Sequence, residues 1–574
     1  MKTSDYIAKY LENQGVTHVF ELVGGMITFL LDSLQQQTSI KIVSMHHEQG
    51  AAFAAEGYAR MTGRPGVAMA TSGPGATNLL TAIGSCYFDS VPTVFITGQV
   101  NRHEQKGNLA VRQLGFQETD IVSMVSPITK GAWLVNSPDE MPHILENAFI
   151  LANSGRPGPV LIDVPMDVQR AEISDLSRLT ARVSNSNHEI PKDIHSYWNA
   201  LYSDLKEAKR PLILAGGGVQ SARAINEFRT LVQQLQIPVV NSLMAVDAMS
   251  ADDSLRVGLL GSYGNRWTNI AISESDFLLV LGSRLDVRQT GADTKDFKGA
   301  RTIYHVDCEA GEMNNRVTGC CSFECELKPF LQYVVNQMPQ PCIRRDWINH
   351  LNQLKAHWPD TNELPDLDGI NPNHFMHRLS AYSGEASAYI ADVGQHQMWA
   401  AQSIDLGPNQ RFLTSGGMGA MGFALPTGIG ACFATGKPVV VIAGDGGFQL
   451  NIQELQTIVR NQLPVKMIVI NNHCHGMVRQ FQDSYFHGRV QSTVWGYSAP
   501  SFSEVARAYG IPSLVVESPA EVEESLASLW SNSIGPFLLE VLIPQDANAY
   551  PKMAFGKPIC EMEPFSKPID MEGT

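Results

Sequence analysis

Gly444-Asp445-Gly446 closes one apolar run of the chain, and Asn472, 27 residues beyond the aspartate, closes the next. A carboxylate and an amide oxygen set side by side are hard ligands. With a backbone carbonyl, water and two phosphate oxygens they complete an octahedral Mg²⁺ site. Gly446 and Gly447 let the backbone approach such phosphates closely. Taken alone, the Gly-Asp-Gly tripeptide also reads as an ordinary turn after a strand. The adjoining His473-Cys474-His475 offers zinc-type ligands, but three consecutive residues cannot converge on one tetrahedral ion.

The clamp needs a particular scaffold. Lys437 to Ala443 (KPVVVIA) reads as a buried parallel strand, Leu455, Ile458 and Val459 fall at helical spacing, and Pro464 to Ile470 (PVKMIVI) reads as the next strand. Such a strand-helix-strand unit brings Asp445 and Asn472 to the carboxyl ends of adjacent strands, where open α/β sheets bind ligands. Polar, proline-containing stretches near 171–193 and 339–369 read as linkers between three α/β units. The fold class expected is therefore α/β, with three doubly wound parallel-sheet domains over 1–175, 190–338 and 365–547 and a tail over 548–574. In the middle unit, Pro211 to Leu214 followed by Gly216-Gly217-Gly218 reads as a strand feeding a glycine turn.

The spacing from Asp445 to Asn471-Asn472 resembles that of thiamine-diphosphate enzymes. HEQGAAFAAEGYARMTG (His47 to Gly63) and TSGPGATN (Thr71 to Asn78) closely resemble acetolactate synthases, and the likeness runs from Val19 to Pro544. By that resemblance Asp445, Asn472 and the backbone carbonyl of Cys474 are the metal ligands. Glu48 is the carboxyl group beside the cofactor's aminopyrimidine, where it promotes loss of the thiazolium C2 proton. On its own chemistry Glu48 is also a helix-start carboxylate. The resemblance sets Val23, Gly24, Gly75, Asn78, Gly416, Met418, Gly444, Gly446, Gly447 and Met477 against thiamine diphosphate. Met421, in GGMGAMGF, is the apolar wedge that bends the cofactor, a role that is also core packing. Phe116 and Gln117 match the FQE segment at the reacting oxygens, and Lys130 in PITK matches a basic residue at the mouth of the site.

The resemblance further makes the three domains pyrimidine-binding, central FAD-type and diphosphate-binding. It gives the central one Gly216, Gly217, Gly218, Gly261, Ser262, Tyr263, Gly264, Gly282, Ser283, Arg284, Asp286, Arg288 and Asp307 as the surroundings of a largely structural FAD. Two residues depart from the family pattern, Tyr263 in place of histidine and Cys320 in place of an acidic residue. The family pairs its cofactor halves across a subunit interface, which implies a homodimer or homotetramer, and gives the first and third domains one fold.

Pyruvate is the donor that the family implies. The acceptor side differs, because Met477-Val478-Arg479-Gln480 is followed by Phe481 where biosynthetic acetolactate synthases have tryptophan, and a phenyl ring leaves a differently shaped pocket. The 101–117 segment is long and carries Arg102, His103, Lys106 and Arg112. With Phe555-Gly556-Lys557-Pro558 it is similar to thiamine enzymes of surface-polysaccharide gene clusters, such as the yersiniose-type branched-sugar carboligases. The expected reaction is accordingly transfer of the two-carbon unit of pyruvate to a ketone such as a nucleotide-activated 4-keto-deoxy sugar. The alternative is condensation of two pyruvates by an acetolactate synthase, for which Arg288 matches the arginine that holds the acceptor carboxylate. A catalytically dead, flavin-binding regulatory subunit is disfavoured because Glu48, Asp445 and Asn472 are all present. The 549–574 tail either closes over the site or lies as an ordered strap.

Composition agrees. The formal charge of −15 argues against a nucleic-acid partner. Nine scattered cysteines in 574 residues suit reduced thiols rather than a disulfide framework. Met1 to Gly15 reads as an amphipathic helix rather than a signal peptide, and no apolar run approaches the length of a membrane span, so the cytoplasm is the expected compartment.

Overall fold

Backbone groups in a buried apolar run find partners most readily in another strand. In the computed structural model, which describes residues 1–174, 176–179 and 190–569, the long apolar runs are used in that way. The first sheet comprises β1 (His18–Leu22), β2 (Lys41–Ser44), β3 (Gly66–Ala70), β4 (Thr93–Gln99), β5 (Gly131–Leu134) and β6 (Pro159–Pro165), in the order β2-β1-β3-β4-β6-β5. The second comprises β7 (Pro211–Ala215), β8 (Val239–Asn241), β9 (Arg256–Leu259), β10 (Phe277–Leu281), β11 (Thr302–Asp307) and β12 (Cys321–Glu324), in the order β12-β11-β10-β7-β8-β9. The third comprises β13 (Ala388–Ala391), β14 (Arg411–Thr414), β15 (Val439–Gly444), β16 (Val465–Asn471), β17 (Ser513–Val516) and β18 (Phe537–Leu542), in the order β14-β13-β15-β16-β18-β17.

All pairings within these sheets are parallel. The third sheet repeats the first strand for strand, as the sequence led us to expect. The middle sheet runs outward in both directions from β7 and β10, which is the dinucleotide-binding order. The two runs read as strands around Asp445 are β15 and β16, paired from Val439 opposite Val465 to Gly444 opposite Ile470.

One expectation needs correction. The 339–369 stretch is not a bare linker, for it holds the helix Arg345–His357, whose Trp347 and Leu351 are buried on the middle domain. Its polar face and flanking prolines hide the i, i+4 apolar pair that anchors it. Much of the other linker reading, at 171–193, lies outside the described residues.

The first and third domains share one core. The helix Glu48–Thr62 lies on the helix Ala424–Thr435 through residues with little or no side chain. A Cβ on Gly430 would come within 1.9 Å of the Ala54 carbonyl oxygen, and one on Gly57 within 2.2 Å of the Thr427 oxygen. Phe53 and Phe423 meet edge to face at 5.4 Å beside this contact. Gly430→Val is expected to force the helices apart at a cost of about 1–3 kcal/mol, read as a lower denaturation midpoint. An unchanged midpoint would show that the helices separate freely.

Beyond β18 the chain runs as a strap over the third and middle domains. It carries a two-stranded antiparallel ribbon, Lys552–Met553 with Met562–Glu563, closed by a part-buried Lys552 to Glu563 ion pair of 2.9 Å. As far as residue 569 the tail lies as an ordered strap.

Candidate active site

The carboxyl edge of the third sheet gathers four connections, those after β13, β14, β15 and β16. Asp445 follows β15 with its Oδ2 buried and without a hydrogen-bond partner among the described residues. Burial pushes its carboxyl up to about 6, with the adjacent Tyr497 hydroxyl acting in the opposite sense. An orphaned buried carboxylate oxygen is costly unless a cation sits against it. Asn472 follows β16, where its Oδ1 accepts from the Cys474 N–H at 3.3 Å and its Nδ2 donates to Gln395 Oε1 at 3.1 Å. His473 between them takes a left-handed φ of +54°, which turns the chain back on itself. The Cys474 carbonyl accepts from the Gly476 N–H at 2.9 Å and keeps a second lone pair. The donor set, two side-chain oxygens and a carbonyl, suits a hard divalent cation. The Cys474 thiol instead donates to the Gln545 carbonyl, and burial pushes it up to about 11. Among the described residues no three His, Cys, Asp or Glu side chains could together hold a metal.

Several residues here were missed by the sequence reading. Asp392, after β13, accepts from the N–H groups of Val393, Gly422 and Ala424 at 2.8, 3.0 and 2.9 Å. It thereby fixes the loop that carries Gly416, Met418 and Met421. Burial raises its carboxyl to about 6 against the pull of those three N–H groups. The Met421 methyl lies 3.3 Å from where a Gly446 Cβ would stand, and a Gly447 Cβ would come within 2.6 Å of Asp392 Oδ1. His396 and Gln395 complete this wall. The signal for all three was topological, since β13 and β15 flank the point where strand order reverses.

The first sheet presents its own carboxyl edge with Val23 and Gly24 after β1, Glu48 after β2, Gly75 and Asn78 after β3, and Phe116 and Gln117 after β4. Glu48 is 7% exposed and opens its helix, and its Oε2 accepts from Asn78 Nδ2 at 2.9 Å. Glu48 is thus a helix-start carboxylate whose buried carboxyl is held against Asn78. Its Oε1 lies 3.2 Å from the position of a Gly75 Cβ. Gln117 takes a left-handed φ of +66°, and its Cβ lies 3.0 Å from where a Gly73 Cβ would be.

Lys130 stands apart from this group. It precedes β5, hence lies at the amino edge of the parallel sheet, and its half-buried ammonium donates to the Ser154 carbonyl at 2.5 Å. The single chain does not bring it to Glu48.

Beneath the Gln117 segment lies a buried support. Thr97 Oγ1 and Gln99 Nε2 donate to the two oxygens of Asp163 at 2.7 and 2.9 Å, and Gln99 Nε2 also reaches the Thr119 carbonyl at 2.8 Å. Burial raises the Asp163 carboxyl from 3.8 to about 7, with Thr97 and Gln99 opposing. Its folded value lies above its unfolded one, so its contribution to stability is full below about 3.8 and lost as pH rises through about 7. Melting temperature should fall over that window in the native chain relative to Asp163→Asn. Parallel melting profiles for the two would contradict this.

All three domains line a cleft of about 360 Å³ over the carboxyl ends of β7 and β10. Gly217, Gly218, Ser262, Tyr263, Gly282, Ser283, Arg284, Asp286, Arg288 and Asp307 line it, with Asp89 and Gly416 from the flanking domains. The glycines do not simply make room for a ligand. A Cβ on Gly216 would meet the Gly282 oxygen at 2.0 Å, and one on Gly261 the Arg288 oxygen at 2.4 Å, so loop-to-loop packing requires both. Gly264 is packed likewise, 2.6 Å from the Gly261 nitrogen by the same measure. Asp286 Oδ1 caps the next helix through the Arg288 and Gln289 N–H groups at 2.8 and 3.3 Å. Burial raises Tyr263 to about 12, and Cys320 is not among the cleft-lining residues. A glycine turn at the crossover of a dinucleotide-order sheet, with two arginines beside it, fits a dinucleotide.

Beside the strap, Phe481 packs at 4.7 Å against Tyr485 and 6.0 Å against Phe486, and Tyr485 meets Phe555 of the strap at 6.5 Å. Met477 lies one turn earlier on the same helix, Gly476–Tyr485. Among the described residues no helix is long and apolar enough to cross a membrane.

Three family descriptions match the chain in order. They are the thiamine pyrophosphate enzyme N-terminal TPP binding domain over 1–124, the central domain over 199–334 and the C-terminal TPP binding domain over 392–541. Acetolactate synthase isozyme 2 large subunit of Escherichia coli (strain K12) is 37% identical over 563 residues, 98% of this chain and 99% of that one. The acetolactate synthase of Arthrospira platensis is 38% identical over 572 residues, 95% of each chain. The acetolactate synthase large subunit of Lactococcus lactis subsp. lactis (strain IL1403) is 35% identical over 554 residues, 96% of this chain and 94% of that one.

Proposed function

We propose that this chain, which belongs to the acetolactate synthase family of thiamine pyrophosphate enzymes, decarboxylates pyruvate and joins the two-carbon unit to a second pyruvate. The observation that carries the reading is a pair of half-sites on two sheets of one strand order. One half offers a buried carboxyl, Glu48, and the other an orphaned carboxylate oxygen, Asp445 Oδ2, beside Asn472. When bound, thiamine diphosphate supplies a nucleophilic carbon and an electron sink. Asp445, Asn472 and the Cys474 carbonyl would hold Mg²⁺, and through it the diphosphate. Glu48 would hold a proton at the pyrimidine nitrogen, Met421 would keep the cofactor bent, and Gln117 would offer its amide to the reacting oxygens.

A homo-oligomeric site is part of the proposal. Phe116 is 79% and Val23 61% exposed in the single chain, although both stand on the edge that carries Glu48. Apolar residues so placed are covered when a second copy presents its Asp445 half to this edge. FAD is proposed for the central cleft, with Arg284 or Arg288 at its phosphates. The visible spectrum of the purified protein tests this, and a colourless chain that takes up no added FAD would remove it.

A second reading is favoured by one observation, the open aromatic face of Phe481, Tyr485, Phe486 and Phe555, with Phe481 40% exposed. It would admit a larger ketone, such as a nucleotide-activated keto sugar. The basic 101–117 segment supports it less than the sequence suggested, because Arg102 is tied to Asp167 at 2.8 Å and to the Asn136 carbonyl. Product mass spectrometry decides between the readings, with pyruvate, thiamine diphosphate, Mg²⁺ and FAD, in the presence and absence of nucleotide 4-keto sugars. Acetolactate is the expected product, and preferential formation of a two-carbon sugar adduct would replace the first reading with the second.

A further inference from the structure

A directed chain of buried amides joins the clamp to the carboxyl-terminal strap. Gln480 Nε2 donates to the Ala549 carbonyl at 3.1 Å, while Gln480 Oε1 accepts from the Ala549 N–H at 2.9 Å. This two-way bond to one backbone residue defines the orientation of the Gln480 amide, since turning it over would set donor against donor and acceptor against acceptor. Gln395 Nε2 then donates to Gln480 Oε1 at 3.1 Å, which leaves Gln395 Oε1 to accept from Asn472 Nδ2 at 3.1 Å. The Asn472 Nδ2 is thereby engaged on the Gln395 side, and its Oδ1 is turned away from that partner. Asn472, Gln395, Gln480 and Ala549 are all buried, so water is poorly placed to substitute for any link. Neighbouring contacts fasten the same strap segment, as Gln545 Nε2 donates to the His473 carbonyl at 3.2 Å and Arg479 Nη2 to Asn548 Oδ1 at 2.6 Å.

We infer that Gln480, locked by the Ala549 backbone, is a positioning residue that turns the Asn472 oxygen toward the metal. The inference rests on the reading of Asn472 as a metal ligand. Partners that orient a ligand in this way change metal affinity by about 10–100-fold when removed. Asparagine needs such orientation because only one of its two terminal atoms can ligate. Aspartate does not, because either oxygen serves.

The test is a double-mutant cycle on the full-length protein. Mn²⁺ binding in the presence of thiamine diphosphate is read from the electron paramagnetic resonance signal of the free ion, without reference to turnover. Gln480→Met, with similar volume and no amide, is expected to weaken Mn²⁺ binding at least about 10-fold with Asn472 in place. In the Asn472→Asp background the same change is expected to weaken it less than about twofold, because the orientation of the ligand no longer matters. Gln480→Glu keeps an acceptor for the Ala549 N–H and loses the donor to its carbonyl. It also keeps the acceptor for Gln395 Nε2, so it should weaken binding far less than Gln480→Met, and Gln480→Leu carries the cycle if Gln480→Met does not fold. Equal weakening in both backgrounds would mean general loosening and overturn the orienting role, as would no weakening in either. Failure of the native chain to bind Mn²⁺ with thiamine diphosphate would overturn the metal reading itself, a result distinct from either of these.

Discussion

Glu48→Gln is expected to lower turnover by about 10²–10⁴-fold, the range a positioned acid–base group contributes, with thiamine diphosphate and Mg²⁺ still bound. The substitution keeps volume and keeps an oxygen for Asn78 Nδ2, now 2.9 Å from Glu48 Oε2. What it removes is a group that can hold and return a proton. On the proposed reading the cofactor is anchored at the other half-site, around Asp445, so binding is expected to be spared. Steady-state kinetics together with a cofactor titration check both halves of the expectation. Unchanged turnover would take Glu48 out of the chemistry, and loss of binding would make it an anchoring residue.

Asp445→Asn should produce effects of opposite sign in the two states of the protein. With its Oδ2 buried and unpartnered and its carboxyl raised to about 6, the ionised group burdens the cofactor-free fold at neutral pH. The neutral amide relieves that burden, so the cofactor-free variant should melt no lower than the native chain. The cation loses its charged ligand, however, and metal-dependent binding of thiamine diphosphate should fall at least about 100-fold. At a ligand concentration 100 times the dissociation constant, the native chain gains about 2.7 kcal/mol from binding, and the variant should gain almost none. Melting temperatures with and without Mg²⁺ and thiamine diphosphate test both signs. A variant still raised in melting temperature by the pair would show that Asp445 is not a ligand.

The sequence made the scaffold of the third domain legible because Val439–Gly444 and Val465–Asn471 are short, mostly apolar, wholly buried and bounded by turn residues. The Asp445 to Asn472 pairing followed from those two strands alone. Asp392, Gln395 and His396 were not legible, because they act through contacts between loops that only strand order brings together. The place of Lys130 in the sheet was not legible for the same reason. Its local sequence matches a family segment, but which edge of the sheet it occupies depends on where β5 begins. The glycines at 216, 261, 264 and 282 were found, yet their use in packing one loop on another leaves no trace in a linear pattern. The buried helix at Arg345–His357 was hidden by the polar residues on its exposed face.

The contact between Ala54, Gly57 and Gly430 also bears on how this chain can diversify. The helix that carries Glu48 rests on another domain with no room for an added methyl group. Every change in that contact is therefore filtered for fold before it is seen as chemistry, and the carboxyl proposed for the chemistry is shielded from gradual drift. New substrates must then be acquired through surfaces free of this filter, namely the exposed 101–117 segment and the aromatic face of Gly476–Tyr485. Selection for an altered product range should accumulate its first substitutions there, leaving the small-residue contact untouched.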